Sequence, residues 1–248
     1  MSILSGLKSA QPVKEEVDNI GGGGFILDSG VHDIHIDLAF IGKSKGGAMS
    51  LTIHGKSTTG VTLRNTLWIT SGDAKGNKTT YTDKKTKQEV FLPGFAIANH
   101  ICMLTAGKEI FDLDTETKTI KLYDFTAAKD VSTDVQTIPD IMNQSVKMGV
   151  IKQIVDKNVK DGTGNYVPSG ETREENEIDK VFHGESGKTV VELRAKGEAE
   201  FIGTWEDKWT GEVRNRSKAN KSGAINNGIS GAPGDTAAVT TSSDMFSS

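Results

Sequence analysis

The stretch "VTLRNTLWIT", residues 61–70, constrains the fold more than any other part of the chain. Val61, Leu63, Leu67 and Ile69 recur at every second position, with Asn65 among them, while Thr62, Arg64, Thr66, Trp68 and Thr70 fill the alternate places. A period of two marks an extended strand with one buried face; on a helix the same apolar groups would scatter around the whole circumference. The pattern occurs twice before it. "VHDIHIDLAF" (31–40) predicts Ile34, Ile36, Leu38 and Phe40 on an inner face, and "MSLTI" (49–53) predicts Met49, Leu51 and Ile53 there. Turn-forming "GKSKGG" and the segment 55–60 separate the three, so the predicted unit is an antiparallel meander.

Further along, "PGFAIANHICMLTAG" (93–107) carries Pro93 near a start, Gly107 near a stop, and Ile97, Ala98, Ile101 and Cys102 on one stripe, which predicts a helix. "TKTIKLYD" and "VKMGVIKQIV" predict strands, with a helical turn at Pro139 between them. "DKNVKDGTGNYVPSG" (156–170) predicts a loop and "ENEIDKVFH" the strand after it. Phe201, Ile202, Trp205 and Trp209 stand at helical spacing, so a terminal amphipathic helix is expected to seal onto the sheet through its tryptophans. Residues 1–24 end in four glycines and read as a flexible arm. From residue 211 the composition turns to Ser, Gly, Ala, Asn and Thr, with too little apolar surface to order, which predicts a disordered tail over 211–248 and a folded domain over 25–210.

The net charge of −4 opposes indiscriminate binding to polyanions, but the charge is unevenly spread. Residues 41–95 hold nine basic groups, Lys43, Lys45, Lys56, Arg64, Lys75, Lys78, Lys84, Lys85 and Lys87, against only Asp73, Asp83 and Glu89. Residues 109–140 reverse the balance. A cationic region on an acidic protein attracts a polyanion to one surface while the rest repels it. Within that region "YTDKKTKQEVFLPGF" (81–95) sets three lysines among Tyr81, Phe91 and Phe95. Proteins that hold single-stranded nucleic acid combine cations that track phosphates with rings on which bases stack. Together with Trp68 on the outward face, these residues form the candidate site.

Competing chemistry finds little support. Asp33, His35 and Asp37 share one strand face and have the donor types for a divalent metal, but a solvated strand face looks the same and no downstream cluster completes the set. "GESGKT" (184–189) lacks the first glycine of a phosphate loop, Phe182 standing in its place. The glycines at 21–24 lack a preceding strand for a dinucleotide turn. Cys102, the single cysteine, falls on the buried stripe of the predicted helix and has no second thiol to pair with. No cofactor and no catalysis are expected. With no bilayer-length apolar run and no signal-type hydrophobic segment at the start, a cytoplasmic location is expected.

In order along the chain, "GGGGF" (21–25), "LPGF" (92–95), "GVIKQIVDKNVK" (149–160), "ETREEN" (171–176) and "KVFH" (180–183) resemble the single-stranded DNA-binding proteins of tailed bacteriophages over residues 1 to about 210. The resemblance implies a mainly β fold, an OB barrel of five Greek-key strands with an inserted helix and a C-terminal helix. It also implies a non-catalytic role in coating single-stranded DNA during phage replication, recombination and repair, in the cytoplasm of the bacterial host. The DNA path then crosses Arg64 and Trp68 and the excursion that carries Lys75 to Lys87. The tail departs from the family pattern: "TTSSDMFSS" has only Asp244 beside Phe246 in place of an acidic run. Its basic start, Arg214, Arg216, Lys218 and Lys221, suits DNA or an acidic partner. An alternative reading follows, an interaction protein that engages phage or host transcription or replication enzymes through this tail, with DNA contact secondary.

Overall fold

The structure is a computed structural model and describes residues 26–124, 128–163 and 166–218. The expected N-terminal arm lies outside the described residues. Strands β1 (Gly30–Lys43), β2 (Met49–Ser57) and β3 (Thr62–Trp68) form the predicted antiparallel meander, with Ile41 opposite Leu51 and Leu51 opposite Leu67. Ile34, Ile36, Leu51, Ile53, Leu63 and Leu67 are buried in one core, each such side chain contributing roughly 1.5–3 kcal/mol through removal from water. The alternation read for β1 fails at one point. A register shift against β2 lies between Ile36 and Leu38, and the extra residue of this bulge turns the side chains over. Ala39 takes the core position, Leu38 is half-buried, and Phe40 is buried away from that core, edge-on to His54 with ring centroids 5.9 Å apart.

A short hairpin, β4 (Thr80–Thr82) and β5 (Glu89–Phe91), leads into helix α1 (Pro93–Thr105). Pro93 opens α1 at a position where its missing N–H is no loss, and Phe95, Ala98, Ile101, Cys102 and Leu104 form the buried side. Gly94 is required by contact, since a Cβ there would stand 2.3 Å from the Trp68 carbonyl oxygen. Next come β6 (Glu116–Asp124) and β7 (Lys129–Thr137), a hairpin joined to β1 through Phe40 opposite Thr137 and Ile41 opposite Gln136. A 3-10 turn, Pro139–Ile141, stands where the Pro139 turn was expected.

Strands β8 (Ser145–Lys160) and β9 (Tyr166–Phe182) make one long antiparallel hairpin. This corrects the expected loop at 156–170: Val159 pairs with Val167 and Lys160 with Tyr166, beyond the point where the hairpin has a body to bury against. Both faces there are exposed, so no hydrophobic alternation signals the strands. The first half of β8 pairs with β1, Gly30 opposite Val150 through His35 opposite Ser145. Helices α2 (Val190–Ala195) and α3 (Phe201–Trp209) follow. Thr189 and Glu192 close a reciprocal capping box at the start of α2. Trp205 is buried with Ile151 and Phe182 in a second cluster, as the helical spacing predicted, and Trp209 is half-buried beside it. Gly149 makes room for the Trp205 ring, whose Cε2 would lie 2.9 Å from an added Cβ.

The fold does not end at residue 210. Strand β10 (Val213–Asn215) lies parallel to β8, Arg214 opposite Gln153, along the edge that β1 leaves free after Gly30. Gly211 N–H donates to the Ser29 carbonyl at 2.9 Å and the Ser217 hydroxyl to the Asp156 carboxylate at 2.7 Å. Residues 211–218 therefore belong to the folded body, and the tail expected over 211–248 is described only up to residue 218. The protein is mainly β with few helices, and its sheet is not closed. Among the described residues β3 pairs only with β2, and β9 only with β8. Between these two edges the Asn65 side-chain amide donates to the Asn176 carbonyl at 3.2 Å. The Asn176 side chain in turn binds both backbone groups of Leu27 at 2.8 Å. No helix is long and apolar enough to cross a membrane among the described residues.

Candidate nucleic-acid interface

The open seam is a cleft of about 600 Å³. Asn65 to Trp68 of β3 form one wall, residues 175–180 of β9 the other, and Leu92, Pro93 and Ile97 at the start of α1 close one side. Alternation along β3 sets Thr62, Arg64, Thr66 and Trp68 in an exposed column about 20 Å long, opposite to buried Leu63 and Leu67. Trp68 is 48% exposed, which is too much for a residue recruited to the core. Arg64 faces His54 across the β2–β3 ladder. Burial first, then the Arg64 charge, hold the His54 imidazole below its ordinary proton affinity, with Asp37 opposing. The ring therefore adds no charge to this face near neutral pH.

The nine cations expected to form one surface divide into groups. Lys43 and Lys45 lie at and beyond the end of β1, and Lys75 and Lys78 in the loop after β3. Asp73 N–H donates to the Gly46 carbonyl at 2.9 Å and holds the two loops together, near the Trp68 end of β3. Gly47 sits at φ +80°, where a Cβ would overlap the Asp73 carboxylate. Lys75 lines the cleft itself. Lys56 is at the far end of β2, opposite Thr62. Lys84, Lys85 and Lys87 form the exposed tip of the β4–β5 hairpin, whose turn is fixed by the Asp83 carboxylate accepting from the N–H groups of Lys85 and Thr86 at 2.7 and 2.8 Å. These bonds lower the Asp83 pKa. The hairpin is rooted at the cleft by Leu92 N–H donating to Thr79 and Ser71 N–H donating to Lys78, both at 2.8 Å.

The hairpin rings are not one platform. Tyr81 is paired with Val90, and Phe91 with Thr80, so the two aromatics leave the ladder on opposite faces. Phe91 stacks on buried Phe95 at 5.0 Å between centroids, while Tyr81 is exposed on the other side. Asp33, His35 and Asp37 share the exposed side of β1 as expected, but Asp33 accepts from Lys147 at 2.5 Å and His35 lies 4.0 Å from Asp37. Of the tail residues, Arg214 and Arg216 point back to Glu177 on β9, and Lys218 N–H donates to Asp156. Lys221 and Phe246 lie outside the described residues.

The sequence reading missed the second wall. Glu175, Asn176, Glu177, Asp179 and Lys180 enter the cleft because β9 lies across from β3, a juxtaposition more than a hundred residues apart in the chain, and Gln153 enters from the paired strand β8. It also missed Tyr166, strongly exposed at the end of the β8–β9 arm with the Lys160 ammonium 5.5 Å over its ring. The arrangement can hold an extended anionic polymer against one indole while neighbouring loops meet its charges. Compared with known proteins, the chain matches no family model and no curated protein is significantly similar to it, so the family expectation rests on the order of the short motifs alone.

Proposed function

We propose that the protein binds single-stranded DNA along the β3 face and the adjoining cleft, without catalysis, as a coating protein of the phage type. The observation that carries this reading is the half-exposed indole of Trp68, on the same strand face as Arg64 and at the mouth of a cleft that also meets Lys75. The exposed ring face is open to stacking, and a base covers it without regard to sequence. The OB reading is supported by connectivity: a three-stranded meander, then α1, then β8 on the other edge of β1 and β9 beside β8. In that reading β3 and β9 are the strands that close a barrel, here bridged by Asn65 in place of a ladder. The tail-centred alternative has less to work with, since Arg214 and Arg216 are engaged in internal ion pairs.

The test is a titration of fluorescent oligothymidylate against a duplex of the same length. Single-strand binding that weakens with salt is expected, with a log–log slope near ~−3 to −4 if four to six phosphates are neutralised at ~−0.7 each. Equal affinity for the duplex, or binding insensitive to salt, would remove the reading.

A further inference from the structure

Glu175, Glu177 and Asp179 on the cleft wall facing Trp68 would repel a phosphate chain laid in the groove if nothing answered their charge. Arg173 lies 2.9 Å from Glu175, on the same strand. The other two depend on β10. Arg214 Nη1 donates to Glu177 Oε2 at 2.7 Å and its Nη2 reaches Asp179 Oδ1 at 3.5 Å, while Arg216 Nη1 stands 3.5 Å from Glu177. The Arg214 side chain is only 24% exposed, and its guanidinium lies 4.6 Å from the centroid of the Trp209 ring. Asp179 also accepts from the Trp205 indole N–H at 2.8 Å. The segment that carries these arginines, β10 and the residue after it, is pinned at both ends, by Gly211 on Ser29 and by Ser217 on Asp156.

We propose that β10 is an electrostatic strap and that Arg214 is a positioning residue for polyanion binding. It does not touch the nucleic acid; it cancels the charge of Glu177 and Asp179 so that the groove beside Trp68 accepts phosphates. The inference rests on the reading of that cleft as a single-strand site. Two unanswered carboxylates within about 7 Å of a phosphate weaken binding about five- to tenfold at low salt, and less as salt rises.

The experiment measures oligothymidylate affinity by fluorescence anisotropy for the full chain, for Arg214→Ala, for Glu177→Gln/Asp179→Asn, and for the triple variant, with thermal unfolding of each. Gln and Asn keep the shape of the wall and an oxygen for the Trp205 N–H. Arg214→Ala should lose about five- to tenfold in affinity, and the triple variant should recover to within about twofold of wild type. The two-residue neutral variant, with Arg214 in place, should bind at least as tightly as wild type, which keeps the test decisive if Arg214→Ala does not fold. A wild type that binds beside a triple variant as weak as Arg214→Ala, or a neutral variant weaker than wild type, would overturn the strap alone, since Arg214 would then act by direct contact or through the fold. A wild type that fails to bind would overturn the cleft reading and the strap with it.

Discussion

Trp68 and Trp205 are the same side chain in opposite circumstances, and the contrast gives the cleanest residue-scale test. Trp68→Ala should cost about 1–3 kcal/mol of single-strand affinity, the range of one lost base stack. Its effect on the unfolding midpoint should be small, because the ring is half exposed in the fold. Trp205→Ala should instead cost roughly 3–5 kcal/mol of stability, as for a buried tryptophan removed from a packed cluster. The reverse pattern in denaturant titrations would place the platform elsewhere. For the hairpin rings, Phe91→Ala should lose about 0.5–1.5 kcal/mol of stability with its stack on Phe95, and Tyr81→Ala almost none. Since the two rings leave opposite faces of the ladder, a strand of DNA lying on one face meets one of them; affinity losses from both single variants would contradict that geometry. The outward direction of Trp68 was legible because β3 keeps a strict period of two. Leu38 and Phe40 were misread because a bulge is a property of strand pairing, which β1 alone does not encode.

At the scale of elements, the parts that bury one continuous face were legible and the parts that bury none were not. The meander, α1 and α3 announce themselves by period, Pro93 and Gly107 marking the ends of α1 as well. The outer halves of β8 and β9 expose both faces, β7 alternates valine with threonine, and β10 is three residues long. None of these leaves a hydrophobic pattern strong enough to read. The consequence for β10 is measurable. Truncation after residue 218 should leave the midpoint unchanged if the removed segment takes no part in the fold. Truncation after residue 210 should lower it, because the ladder to β8, the Ser29 and Asp156 anchors and the Arg214 pairs go together. Two to four net hydrogen bonds at about 1 kcal/mol each correspond to a fall of roughly 4–16 °C for a domain of this size. Equal midpoints for the two truncations would return the domain boundary to residue 210.

For the molecule as a whole, acid should act first through two histidines. Burial holds His54 and His100 below the ordinary value of 6.5, reinforced by Arg64 for the former and by Lys180 and Arg194 for the latter, with Asp37 and Glu109 opposing. A group that resists protonation in the fold but not in the unfolded chain leaves stability intact above its unfolded pKa and lowers it as pH falls below that point. The unfolding midpoint should therefore begin to drop as pH passes down through about 6.5, and a His54→Gln/His100→Gln variant should drop less over the same interval. The open seam between β3 and β9 was the least legible feature, because which strand edges face each other depends on the path of the entire chain. Cys102 gives that entire chain a built-in reporter. Its thiol is fully buried in the main core under α1, and burial pushes its pKa up to about 12, so the thiolate that alkylating reagents need is withheld in the folded state. With no other cysteine in the sequence, the rate at which an alkylating reagent marks the protein should follow the opening of the core. A bound single strand that stabilises the fold should slow that marking in proportion to its occupancy, giving a measure of binding that needs neither a fluorophore nor a label on the DNA.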